Sequence, residues 1–431
     1  MSLLTTLTGL LLATVGTPLF VIIAVLALVV FASDGVDLTV LFIEMYRLAD
    51  EPALTAIPLF AFSGFLLAES GAARRLVRLS EALLWWLPGG LAIMALSVCA
   101  LLTAFTGASG MTIVAVGGLL FPALQQARYP ESFSLGLLTT SGSLGLLFPP
   151  SIPLILYGIV SETPIDELFV AGIAPGMLLV LALAGYGFFV GRRVNRTSFP
   201  EPPAGTPGDP PERSGERVVS ACVEAVWELL LPVAVITGIY SGFIAVSEAA
   251  ALSAMYVLVV EMVLRREIRL SQLPGIIRET MVLVGGIYLI LASSMAYTSF
   301  LIDAEIPTRL LATLQGGIES RLLFLVLLNL FLLAVGCMID MFSALVVVVP
   351  LILPVAAAYD IHPVHLGIIF LANLEIGYST PPVGLNLFIA SARLERPILQ
   401  LYRASLPFLL ILLACLLVIT YVPALSLFAL D

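Results

Sequence analysis

Four short polar segments interrupt otherwise apolar sequence, and each combines oxygen-bearing side chains with residues that break helices. They are Thr103-Ala-Phe-Thr-Gly-Ala-Ser-Gly-Met-Thr112, Leu144-Gly-Leu-Leu-Phe-Pro-Pro-Ser-Ile-Pro153, Gly336-Cys-Met-Ile-Asp-Met-Phe-Ser343 and Glu375-Ile-Gly-Tyr-Ser-Thr-Pro-Pro-Val-Gly-Leu-Asn386. A helix broken inside an apolar run frees backbone carbonyls. With hydroxyl, amide or carboxylate oxygens beside them, such a break can ligate a hard cation. The alternative is that the small residues only let helices pack closely. Asp340 and Glu375 lie deepest of the ionisable residues, a position where charge is functional by default. Asp340 could equally cap a helix, and Glu375 could pack against a polar neighbour. Glu248, ahead of an apolar helix, reads as a first-turn acid complementing the macrodipole. His362 and His365, with Asp360, have a spacing that metals use. They flank Pro363 with no third ligand in reach, which favours a loop or helix-start role. No Gly-x-x-x-x-Gly-Lys-[Ser/Thr] loop, nucleophile elbow or His-Glu-x-x-His site occurs, so a membrane-embedded hydrolase has little support.

The apolar sequence around these segments sets the class of protein. Of 431 residues, 60% are hydrophobic and only 11% charged, against about a quarter charged in a soluble domain. The apolar runs last roughly 15 to 25 residues, the length of a helix that crosses about 30 Å of hydrocarbon. An all-α polytopic membrane protein follows, since the alternation expected of barrel strands is absent. The net charge of −10, with no basic stripe, gives nucleic-acid binding no support. Cys99, Cys222, Cys337 and Cys415 stand singly and read as packing residues. The run from Leu10 to Ala32 is too long for a signal-peptide core and lacks its basic flank, so it is expected to stay as a first helix.

Arginine clusters mark cytoplasmic breaks and alternate with acidic ones, the first of them Asp34 to Glu51. They place the amino end inside, with helices at Leu10 to Ala32 and Thr55 to Glu69. An interfacial stretch carrying Arg74, Arg75, Arg78 and Trp85-Trp86 comes next. Gly89 to Gln126 is long enough for two passes and has arginines at both ends. Either two full crossings or a re-entrant hairpin satisfies this. Glu131 to Val160 should be interrupted by Pro149, Pro150 and Pro153, and Phe169 to Val190 returns the chain to a basic loop. Asn195 to Gly215, rich in Pro and Gly, is a linker. Crossings are expected at Val226 to Ile244 and Ala249 to Leu264, then an amphipathic stretch through Arg278, then Met281 to Leu301. Leu322 to Ala358 is a second double-length block and Val364 to Ala392 a second broken segment. The last crossing, Ala404 to Phe428, leaves the carboxyl end outside. Arg309 and Arg321 then fall outside, against the charge rule.

The halves repeat. The ungapped shift that places Pro122 on Pro354 also places Gly145 on Gly377, Pro149-Pro150 on Pro381-Pro382 and Pro175 on Pro407. Five single passes separate the two double-length blocks, and an odd number inverts one half relative to the other. Inverted repeats with broken helices meeting near the midplane are the plan of secondary transporters.

The runs Gly142 to Pro153, Phe169-Val-Ala-Gly-Ile-Ala-Pro-Gly176, Gly238 to Ala250 and Asn373 to Phe388 resemble the large membrane subunit of tripartite ATP-independent periplasmic (TRAP) transporters, the DctM type. The resemblance covers nearly the whole chain. It implies sodium-coupled uptake of small organic acids, usually carboxylates, by an elevator-like movement. It also implies two partners, a periplasmic substrate-binding protein and a small four-helix membrane subunit, which is sometimes fused but has no room here. No cofactor beyond Na+ is expected, and the location is the bacterial inner membrane. The candidate sodium ligands are Thr106, Ser109 and Gly110 facing Ser141, Gly142 and Gly145, and Asp340 and Ser343 facing Asn373, Gly377 and Thr380. Pro149, Pro150, Ser151, Pro381, Pro382, Gly384 and Asn386 are expected to line the breaks and the substrate site. The expected division is 1–88 as scaffold helices and interfacial arm, 89–190 as the first repeat, 191–217 as cytoplasmic linker, 218–321 as further scaffold helices and arm, and 322–431 as the second repeat. Two other functions stay open: a stand-alone ion-coupled organic anion carrier or exchanger, and a membrane scaffold or enzyme whose breaks are structural.

Overall fold

The computed structural model describes residues 8–430, apart from 10, 13, 49, 50, 85, 195–213, 307, 310, 311, 313–317, 319 and 429. Trp85 and most of the expected linker lie outside the described residues. Among those described, the chain is helical with no strand. Six helices are long and apolar enough to cross a membrane, or seven if 218–224 and 226–240, bent by 61°, form one span.

Residues 8, 9, 11, 12 and 14 are already helical, and α1 (Leu19–Asp34) follows after a break, so the helix expected from Leu10 to Ala32 is interrupted. Gly16, at φ 76°, turns the chain and Pro18 precedes the first residue of α1. Neither residue suits a helix interior. The acidic break from Asp34 to Glu51 holds a further helix, α2 (Thr39–Arg47), opened by Asp37 Oδ1 accepting the Thr39 N–H at 2.9 Å. Then come α3 (Ala56–Glu69) and α4 (Ala72–Leu84). The first double-length block is a hairpin of α5 (Gly90–Thr106) and α6 (Ser109–Gln126). The first broken segment is α7 (Glu131–Ser141) and α8 (Ile152–Ser161), followed by α9 (Ile165–Val194). Beyond the linker lie α10 (Ser214–Glu224), α11 (Val226–Tyr240), α12 (Val246–Val259, extended by a π turn to Leu264) and α13 (Leu273–Asp303). Of the amphipathic stretch expected through Arg278, 265–272 are non-helical and 273–278 form the start of α13. The second half runs α14 (Arg321–Met338), α15 (Met341–Ala357), α16 (Pro363–Gly377), α17 (Leu385–Leu394) and α18 (Ile398–Tyr421). The last long helix begins before the expected Ala404, directly behind Pro397, and a short turn of helix at Ala424–Leu427 follows it.

The two halves keep one register. The helices α5 to α9 start at 90, 109, 131, 152 and 165, and α14 to α18 at 321, 341, 363, 385 and 398, so each start follows its counterpart by the same interval, give or take one position. Packing between the halves is exchanged in pairs: α6 lies on α17 and α15 on α8, while α7 lies on α18 and α16 on α9. Ser143 Oγ donates to the Glu375 carbonyl at 3.2 Å, a contact between two positions that the repeat register matches. Reciprocal pairs of this kind are what a local two-fold produces. Against this body pack α3, through α5, then α12, through α3, and α13, which touches both α3 and α15 and whose Ser294 Oγ donates to Val346 O at 3.0 Å.

Candidate functional site

The first hairpin turns on two residues. Gly107 caps α5 at φ 62°, its N–H donating to Thr103 O at 2.8 Å, and Ala108 is extended before α6 begins at Ser109. The break between α7 and α8 lies directly on this turn. Thr103 Oγ1 is 2.7 Å from both Gly142 O and Thr112 Oγ1. A carbonyl has no proton, so Thr103 donates to Gly142 and Thr112 donates to Thr103. Gly145 sits where any side chain would strike α5: a Cβ there would be 2.5 Å from Ala104 N and 2.6 Å from Thr103 Cβ. Gly377 repeats that approach on Gly336 and Cys337.

The hairpin of one half also reaches the broken helix of the other. Ser109 Oγ donates to Asn386 Oδ1 at 2.7 Å, both residues being buried, and Asn386 Nδ2 has no partner. Gly110 packs against Ile389 of the same helix. Ser109, Gly110 and Asn386 therefore come together with Gly142, whose closest neighbours include Ser109 O. Thr106 Oγ1 accepts the Ala108 N–H at 3.4 Å, and Ser141 Oγ donates at 3.5 Å to Leu138 O. Ser151 Oγ donates to Leu146 O inside the break. The Pro149-Pro150 and Pro381-Pro382 bonds are both cis.

The second cluster is arranged differently from its sequence reading. Asp340 is the N-cap of α15: Oδ1 accepts the Ser343 N–H at 3.0 Å, and the Ser343 hydroxyl donates to the same carboxylate. The Met341 N–H donates to the Tyr378 hydroxyl, which places Tyr378 beside this turn. Asn373 hydrogen-bonds within the helix packing instead of to Asp340. Its Nδ2 donates to Asn329 Oδ1 at 2.7 Å and Ile369 O at 2.8 Å, while its Oδ1 is buried without a hydrogen-bond partner among the described residues. Thr380 Oγ1 donates to Ile376 O at 2.8 Å, while the Gly384 N–H donates to Cys337 O at 3.0 Å. Glu375 is buried with neither carboxylate oxygen partnered. The two breaks differ in access: Ser141 to Leu147 and Pro149 to Ser151 are buried, whereas Asp340, Pro381, Pro382, Val383 and Leu385 are exposed.

The remaining sequence candidates are structural. Glu248 Oε2 accepts the Ala245 N–H at 2.9 Å ahead of α12. His362 Nδ1 accepts the Val364 N–H at 3.3 Å to start α16, and buried His365 lies 3.2 Å from Thr420 O and 3.3 Å from Ser426 Oγ. Among the described residues no group of three or more His, Cys, Asp or Glu could hold a metal. Two polar clusters were not legible as such. Asn329 links Asn373 to Thr420, donating to Thr420 Oγ1 at 3.1 Å; a lone Asn in an apolar run was the available signal. Arg75, expected at the interface, is buried against three acids, 2.6 Å from Glu228, 2.8 Å from Glu261 and 2.5 Å from Glu267. Burial works against the Glu267 charge, but Arg75 and the Gly71 N–H outweigh it and hold its carboxyl below the usual range.

An all-helical membrane body with two facing, register-matched helix breaks defines a transporter-like class of protein. Residues 4–425 match the family described as tripartite ATP-independent periplasmic transporter, DctM component, and the chain belongs to that family of large membrane subunits. It is 35% identical over 402 residues to the C4-dicarboxylate TRAP transporter large permease DctM of Pseudomonas aeruginosa, covering 93% of this chain and 91% of that one. It is 31% identical to the ectoine TRAP large permease TeaC of Halomonas elongata, covering 99% and 97%. It is 32% identical to the isethionate TRAP permease DctMQ of Oleidesulfovibrio alaskensis, covering 96% of this chain and 64% of that longer one. The fold is similar to that of the Alcanivorax borkumensis YdaH transporter, with a TM-score of 0.61 at 16% identity over 89% of this chain and 87% of the other.

Proposed function

We propose that this chain is the large membrane subunit of a sodium-coupled importer of small organic acids, multi-pass in a bacterial inner membrane. A periplasmic binding protein delivers the acid, and a separate small four-helix membrane subunit completes the complex. The observation that carries the proposal is the Ser109–Asn386 contact, which joins the hairpin turn of one half to the broken helix of the other. It makes a single oxygen-rich locus out of two breaks, where carbonyls freed from helix and half-helix termini can hold a cation and an anion together. The hairpin arms have 17 or 18 residues and rise about 26 Å. That is at the short end of what crosses the hydrocarbon and is compatible with inverted, re-entrant hairpins whose turns end inside the membrane. The repeat body moving against α3, α12 and α13 gives the elevator, and the exposed second break with the buried first fits access from one side at a time.

Relatives named for C4-dicarboxylates, isethionate and ectoine support a small polar acid or zwitterion as cargo, and the fused DctMQ relative supports the second membrane part. The test is uptake of labelled organic acids into proteoliposomes, with sodium replaced by potassium and each partner omitted in turn. Uptake that needs sodium and all three parts supports the proposal. Uptake by this chain alone would make it a stand-alone carrier.

A further inference from the structure

A cavity lies away from both breaks, between the start of α7, the end of α9 and the start of α18. It has a volume of about 280 Å³. Its floor is aromatic, with Phe133 and Phe408 buried, their centroids 5.4 Å apart, and Tyr186 stacked edge-on to Phe408 at 5.1 Å. Its rim carries the exposed guanidinium groups of Arg193 and Arg403. Neither arginine is paired with a carboxylate among the described residues. The nearest acid on α7, Glu131, is engaged by Arg396 at 2.6 Å. Two free cations above an apolar, aromatic slot complement a molecule with an anionic head and a hydrocarbon body.

The other half of the molecule does not repeat these residues. In the repeat register, the positions matching Arg193, Arg403 and Phe133 hold Leu425, Ala171 and His365. The arginines therefore belong to one side only, that of the basic loop following α9, where anionic headgroups attract cations.

We propose that this cavity binds an anionic phospholipid, its phosphate held between Arg193 and Arg403 and its acyl chain laid over Phe133, Tyr186 and Phe408. The site joins the last helix of each repeat, so an occupied pocket ties the two halves together on that face. The test measures thermal unfolding of the purified full chain titrated with dioleoylphosphatidylglycerol, with dioleoylphosphatidylcholine and with inorganic phosphate. Phosphatidylglycerol should stabilise the protein and phosphatidylcholine should do so far less. Each arginine removed, Arg193→Gln or Arg403→Gln, should weaken the phosphatidylglycerol affinity about fivefold, and the pair about 30-fold. Ser132→Glu, at an exposed rim position in the first turn of α7 where an acid is compatible with the helix, should abolish the preference without loss of folding. A preference that survives Ser132→Glu and the double replacement would overturn the proposal. Equal stabilisation by inorganic phosphate would overturn the lipid assignment in favour of a free anion.

Discussion

Replacing Gly145 by Ala tests whether the first break must lie in contact with its hairpin. The added Cβ would stand 2.5 Å from Ala104 N and 2.6 Å from Thr103 Cβ, and within contact of Ala100 O. Carbon contacts settle near 3.5 Å, so the break and α5 must part by about 1 Å. The obstacle is helix backbone, which cannot rotate away. Overpacking of this kind costs ~1–3 kcal/mol. The separation also takes the buried Thr103–Gly142 bond, now 2.7 Å, beyond reach, adding ~1–3 kcal/mol. Even the lower sum, ~2 kcal/mol, displaces the closed arrangement by more than tenfold. Uptake by the assembled system should fall at least about tenfold, and Gly377→Ala should repeat the loss, since its Cβ would meet Gly336 C at 2.6 Å. Gly185→Ala and Gly285→Ala are the controls, with nothing within 4 Å of either Cβ, and should transport normally. Equal transport by Gly145→Ala and Gly185→Ala would refute the reasoning.

Arg75→Leu should lower stability by ~3–5 kcal/mol, because Glu228 and Glu261 are left buried without their cation; thermal unfolding of the purified chain checks this. Asp340→Ala should cost ~1 kcal/mol through loss of the cap, and as a proposed ligand should also weaken sodium dependence of uptake; a sodium titration identical to the parent would leave Asp340 with the cap alone. The Glu267 carboxyl titrates below its ordinary value of 4.5, so its stabilising effect is present at neutral pH and is lost as pH falls through the acid range below that value. Glu267→Gln should therefore flatten the acid limb of a stability profile, by a small amount because the side chain is 37% exposed.

Proline and glycine carried most of what the sequence told. Pro149-Pro150 and Pro381-Pro382 located both breaks, and the shift that aligned them also aligns the helix starts within a residue, because a residue unable to continue a helix marks the same point in fold and sequence. Helix ends set by local residues were harder to see: Asp37 opened α2 inside an apparent acidic loop, and Gly16 with Pro18 interrupted the first apolar run. The partners of long polar side chains were not legible. Asn373 turns to Asn329 because α14 and α16 pack side by side, and Arg75 turns inward because acids from α11, the π turn and the loop after it converge there. Both depend on contacts between segments distant in sequence, which periodicity does not encode.

If the two breaks and their hairpins form one sodium site, as proposed, thermal unfolding of the purified chain should respond to sodium, with potassium as control. A ligand at 100 times its dissociation constant adds about 2.7 kcal/mol of stability. Sodium should stabilise the chain and potassium should not, and the effect should be lost in both Ser109→Ala and Asn386→Ala. Equal stabilisation by the two ions, or a sodium response unchanged in both variants, would contradict the proposed site.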